Sequence, residues 1–208
     1  MMGKKLLALL LCGALLVTVL AACGAPEEKE VSAEQDSQPV ETEKEPDTGD
    51  ASLDNPRNQD GIGEKELLVV SFGTSYNDSR RLTIGAIENA MEEAFPEYAV
   101  RRGFTSQIII DHVKSRDNVA IDNVKQALDR AVENGVKTLV IQPTHLMDGL
   151  EYHELVDEVA QYSDAFEHLA IGKPLLTSEA DFQAVEQAIT EATAEYDDGK
   201  TAICFMGH

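Results

Sequence analysis

The sequence predicts an α/β domain, a parallel sheet with helices on both faces. Three observations predict it. Short apolar, β-branched runs alternate with longer segments of helical spacing from residue 66 onward, the pattern of a parallel sheet with right-handed crossovers. The segments that follow the strands are rich in Gly, Ser, Thr and Pro. And about 140 residues are enough for one such domain with a real core.

The elements follow in order. "ELLVVSF" is the first strand, ending at Gly73. "SRRLTIGAIENAMEEAF" carries Leu82, Ile84 or Gly85, Ala86 or Ile87, Ala90, Met91 and Ala94 at the spacing of a single helix, which Pro96 stops. "YAVRRGF" is a weaker strand, and "SQIIIDHVKSR" a helix with Ser106 as its cap. "NVKQALDRAVENG" is helical and closes on Gly135, before the strand "VKTLVIQ". "EYHELVDEVAQYSDAF" is a further helix and "HLAIG" a strand. "SEADFQAVEQAITEATAEY" is a helix capped by Ser178, and "TAICFM" is expected to be a last buried strand, with Cys204 a small buried hydrophobe inside it.

What precedes residue 66 is different in kind. Residues 1–22 pair Lys4 and Lys5 with an apolar stretch and small residues, the pattern of a secretory signal. The run Leu20-Ala21-Ala22-Cys23 resembles a bacterial lipobox, which makes Cys23 the expected site of lipidation and predicts an extracytoplasmic protein anchored to the cell membrane. Residues 23–65 are strongly acidic and contain no aromatic residue, so they are expected to be a disordered tether. The chain has a net charge of −21, which excludes nucleic acid as an expected partner. With Cys23 blocked by lipid, Cys204 has no partner thiol for a disulfide or a zinc cluster.

The strand-following segments are "SFGTSYND", "FTS", "QPTHLMDG", "GKPLLTS" and "MGH". In a parallel sheet they emerge along one edge, where ligands bind. His145 and His208 fall in them, whereas His112, His153 and His168 fall on helices or at a strand start. His145 is a candidate functional residue, with a hydrogen-bonding role inside its loop as the alternative. The "SFGTS" loop has neither the lysine of a P-loop nor the glycine triplet of a dinucleotide fold, so no nucleotide cofactor is expected. No GxSxG elbow supports a nucleophilic serine.

Taken together, "LLVVSFGTSYNDSR", "RRGFTSQIII", "IQPTHLMDGLEYHELV", "IGKPLLTS" and "FMGH" resemble the anaerobic cobalt chelatase family, in the same order and at compatible spacing. The resemblance implies insertion of Co²⁺, as metal substrate, into sirohydrochlorin in cobalamin synthesis. It implies a fold of two similar α/β halves facing across a cleft, of which 66–208 is the first. His208 then takes the role of cobalt ligand and proton acceptor, and the chain is expected to stop at this residue, truncated before the remaining ligands. Ser71, Gly73, Thr74, His145 and Glu151 are placed on the substrate side. A neutral imidazole suits this chemistry, because it can accept a pyrrole proton or bind the metal near neutral pH. Arg80, Arg81, Arg101 and Arg102 are candidates to face the substrate's carboxylates, with solvated faces as the alternative. Phe72, Leu146 and Met147 are expected to be exposed. A tethered tetrapyrrole- or metal-binding lipoprotein without chelatase activity is the alternative function, and a homo-oligomer is left open.

Overall fold

The structure, a computed structural model, describes residues 46–205; the signal segment, Cys23, the tether up to residue 45 and His208 lie outside the described residues. Its elements are β1 (Lys65–Ser71), α1 (Asn77–Leu82), α2 (Ile84–Ala94), β2 (Ala99–Phe104), α3 (Gln107–Asp117), α4 (Val124–Glu133), β3 (Thr138–Pro143), α5 (Leu150–Ala160), β4 (His168–Ile171) and α6 (Glu179–Thr193). The strands form one sheet in the order β2-β1-β3-β4, and every pairing is parallel. The expected α/β architecture is therefore present.

Why β1 is apolar at consecutive positions is now clear. Successive side chains point to opposite faces, and both faces are covered. Leu68 and Val70 pack with Leu128 and Ala131 of α4 and Leu155 and Val159 of α5. Leu67 and Val69 turn to the other face, with Val100 and Met91. Phe104, Ile110 and Val113 seat α3 at the end of β2. Two helices carry reciprocal capping boxes, Asn123 with Gln126 on α4 and Ser178 with Asp181 on α6. Ser106 does stand at the N-cap of α3, without a side-chain cap hydrogen bond.

The alternation also explains the two adjacent arginines of β2. Arg101 pairs in register with Leu68, and Arg102 with Val69, so they enter opposite faces. Arg101 is fully buried, 2.9 Å from Asp122 and 3.4 Å from Glu66. Arg102 is 2.6 Å from Glu88 of α2 and 2.7 Å from Asp54. Asp54 also takes Arg80 at 2.6 Å. Burial works against the charge of Asp54, but Arg102 and then Arg80 hold its carboxyl below the usual range. Burial pushes the Glu88 carboxyl up, against the pull of Arg102 and Arg57. The expectation that these arginines supply positive charge to a ligand is corrected: Arg80, Arg101 and Arg102 are consumed by buried carboxylates, and Arg81 lies 3.2 Å from Asp78 on α1.

Three further expectations are corrected. The single helix from residue 79 is two, because the chain turns at Thr83 (φ −112°, ψ −73°). The buried face of α2 combines Gly85 and Glu88 with the partly buried Ile84 and Met91 and leaves Ile87 exposed, because α2 is pinned through Glu88 to Arg102; Leu82, at the end of α1, is exposed as well. The tether read over 23–65 does not extend to residue 65 as unstructured chain. Arg57 is buried, donating to Asn89 and Glu92 of α2, and its carbonyl accepts the Arg102 amide at 3.1 Å. One acidic residue of that stretch, Asp54, is the counter-ion of two buried arginines, Arg80 and Arg102. Lastly, residues 201–205 form no strand, and Cys204 is exposed rather than buried. A strand there needs cover on both faces, and α6 buries none of its residues.

Candidate active site

Parallel pairing brings the carboxyl ends of the strands to one edge, and backbone hydrogen bonds stitch the loops there together. The Thr105 and Ser106 amides donate to the Ser71 and Phe72 carbonyls at 2.9 and 3.2 Å. The Thr144 amide donates to Val70 at 2.8 Å, and Leu175 and Leu176 donate to the His145 and Leu146 carbonyls at 2.9 and 2.7 Å. Such a rim is a fixed platform rather than a set of independent loops. Phe72, Leu146 and Met147 are exposed on it, as expected.

Ser71 is buried, and its Oγ accepts the Thr144 hydroxyl at 2.9 Å, so it ties β1 to the loop after β3. Gly73 has φ +101°, a conformation that disfavours side chains, and an added Cβ would stand 2.5 Å from Cδ2 of Phe104. Gly73→Ala is therefore expected to destabilise the fold by about 2 kcal/mol, read by urea denaturation; an unchanged midpoint would show that the turn relaxes freely. Thr74 accepts the Tyr76 amide at Oγ1 and the Arg80 guanidinium at its carbonyl.

His145 is the most informative group on the edge. Its side chain is 8 % exposed, and both ring nitrogens are buried without a hydrogen-bond partner. Its Nε2 lies 3.7 Å from Oε2 of Glu151, too far for a hydrogen bond but close enough for attraction. Burial lowers the imidazole below its ordinary value, and the Glu151 charge only partly opposes this. The ring is neutral at neutral pH, with a vacant lone pair and an unspent N–H. Glu151 stands in the first turn of α5, where a carboxylate is favoured. It also lines a cavity of about 360 Å³ with Thr105, Gln107, Lys125 and Glu154. The Thr105 hydroxyl is likewise buried and unpartnered, a site group that only its position after a strand could have flagged.

The structure thus brings His145 and Glu151 together, and joins Ser71 to Thr144. Gly73 and Thr74 shape the neighbouring loop. Among the described residues, no cluster of three or more His, Cys, Asp or Glu is placed to hold a metal ion. Nor is any helix there long and apolar enough to cross a membrane.

A family model described as cobalt chelatase (CbiK) matches residues 65–208. The chain belongs to the cobalt chelatase family. It is similar to the sirohydrochlorin cobaltochelatase of Salmonella typhimurium, 37 % identical over 145 residues that cover 70 % of this chain and 54 % of the relative. It is also similar to the sirohydrochlorin cobaltochelatase CbiKC of Nitratidesulfovibrio vulgaris, 28 % identical over 161 residues that cover 76 % of this chain and 56 % of the relative. The chain spans about half the length of these cobalt chelatases. The matched region takes in β1 to α6, and with them Ser71, Gly73, Thr74, His145 and Glu151.

Proposed function

We propose that this protein is a sirohydrochlorin cobaltochelatase, exchanging two pyrrole protons of sirohydrochlorin for Co²⁺. Membership of the family and the names of both relatives support the reading. The observation that carries it in the structure is the neutral, buried, unpartnered imidazole of His145 beside Glu151 on the ligand edge. Metal insertion needs a proton acceptor that is uncharged near neutral pH, and this ring meets that requirement. Glu151, partly solvated, attracts the imidazolium that results. His208, by its match to the family's "FMGH", is the metal ligand and an additional proton acceptor.

The test is cobalt insertion by the full-length protein, followed by the change in the tetrapyrrole's absorption. His208→Ala is expected to abolish turnover, and His145→Gln to slow it by about a hundredfold. Tetrapyrrole binding without insertion would replace the enzyme by a carrier. An unchanged rate in His145→Gln would remove that residue from the chemistry.

The same proposal places the protein outside the cytoplasmic membrane, held by lipid on Cys23. The signal pattern of residues 1–22 and the Leu-Ala-Ala-Cys run support this. Cys23→Ala is expected to move the protein from the membrane fraction to the soluble one, and retention in the membrane would overturn the anchor.

A further inference from the structure

The stretch from residue 46 to residue 60 precedes the family domain, which begins at residue 65. It nonetheless touches the fold at two levels. At the first loop, the Thr48 carbonyl accepts the Asp78 amide at 2.9 Å, and the Gly49 carbonyl accepts Nδ2 of Asn77 at 3.0 Å. Deeper, Asp54 joins Arg80 to Arg102. Arg80 is fully buried and spends its other nitrogens on the loop: Nη1 donates to the Thr74 carbonyl at 3.1 Å, and Nη2 to Oδ1 of Asn77 at 2.6 Å. From α3, Arg116 reaches the Ser75 carbonyl at 2.6 Å.

Apart from the two ion pairs of Asp54 itself, each of these bonds ends on residues 74–78, the segment between Gly73 and the body of α1. A guanidinium can hold a carbonyl in place only if it is itself held. Here the carboxylate that fixes Arg80 precedes the residues that the family model matches. We propose that residues 46–60 are a strap that positions the β1–α1 site loop, with Asp54 acting through Arg80 on Thr74 and Asn77. Asp54 is thus a positioning residue: it orients the group that orients the loop. The part of this proposal that concerns substrate rests on reading that loop as part of the chelatase site; the mechanical part does not.

The test compares Asp54→Asn with Val159→Ala, a core change on the opposite face of the sheet, at denaturant concentrations that equalise their stability. Amide hydrogen exchange is read over residues 73–78 and over β3. In Asp54→Asn the loop amides are expected to exchange about tenfold faster than in Val159→Ala, with β3 alike in both. Asp54→Glu should restore much of the protection. Equal loop exchange in the two variants would overturn the strap. Should Asp54→Asn fail to fold, Gly49→Ala takes its place. The left-handed backbone of Gly49 (φ +89°) and the Asp78 carboxylate against it resist a Cβ, so that variant lifts the strap without touching a buried charge. In the full-length protein, both strap variants should weaken sirohydrochlorin binding about fivefold or more, as loss of preorganisation does. A wild type that does not bind sirohydrochlorin would refute the proposed function, while the exchange comparison would still decide the strap.

Discussion

Arg102→Met is expected to destabilise the fold by about 3–5 kcal/mol, as removal of one partner from a buried ionic group does. Arg102 is 1 % exposed and answers two carboxylates at once, Glu88 at 2.6 Å and Asp54 at 2.7 Å. Methionine fills much the same volume but leaves Glu88 fully buried with only Arg57, 3.3 Å away, in opposition. Asp54 keeps Arg80, so its loss is the smaller part. A thermal midpoint lower by roughly 10 °C follows from a loss of that size in a chain of this length. Adding Glu88→Leu should recover part of it, since a buried ion pair replaced by apolar groups is often neutral. The sign of the acid response can be stated as well. The Asp54 carboxyl is depressed in the fold, so its stabilisation is present above the unfolded value and is lost as pH falls through the folded one. A loss below about 1 kcal/mol in Arg102→Met would mean that water reaches the cluster.

The second large effect belongs to Glu66, and its sign is opposite. Burial pushes this carboxyl from an ordinary 4.5 up to about 7, with the Arg101 charge pulling it back. Arg101 is a distant partner, at 3.4 Å and 3.5 Å from the two oxygens, because it commits to Asp122 at 2.9 Å. Below pH 4.5 both folded and unfolded chains hold the proton. Between 4.5 and about 7 the unfolded chain releases it and the native chain keeps it, so stability falls as pH rises. The full cost, about 3 kcal/mol, is reached above pH 7. Glu66→Gln has no proton to lose there. Relative to wild type it is therefore expected to gain about 3 kcal/mol between pH 4 and pH 8, read from urea unfolding at each pH. Parallel pH profiles for the two proteins would refute the shift.

Much of this architecture is legible in the chain, and the illegible parts share a cause. The apolar run 67–70 announces a strand buried on both faces, the run 138–141 a strand whose residues alternate between buried and half-buried, and the cap at Ser178 announces its helix. His145 could be singled out by its place after a strand, because parallel pairing forces such residues to one edge. Local pattern fails where long-range charge decides. Arg101 and Arg102 are adjacent polar residues in a strand, and nothing nearby in sequence shows that Glu66, Glu88, Asp54 and Asp122 meet them inside. For the same reason the apolar pattern of α2 misleads at Ile87. Its helix is oriented by Glu88, whose partner lies 14 residues away. Asp54 reads as part of a solvated spacer until Arg80 and Arg102, which it pairs, are located. Residues 202–205 have the composition of a strand, yet a strand also needs neighbours on its flanks and faces.

The strap has a consequence for self-association. Among the described residues β2 is the outermost strand on its side, and such a strand invites the backbone of another molecule to add to it. Here the invitation is already taken up: the Arg57 carbonyl occupies the Arg102 amide, Gln59 occupies the Val100 carbonyl, and the Asp122 carbonyl occupies the Phe104 amide. The stretch that holds the loop through Thr48, Gly49 and Asp54 also covers part of this edge through Arg57 and Gln59, so cutting it would both loosen the rim and bare backbone along which identical chains could pair.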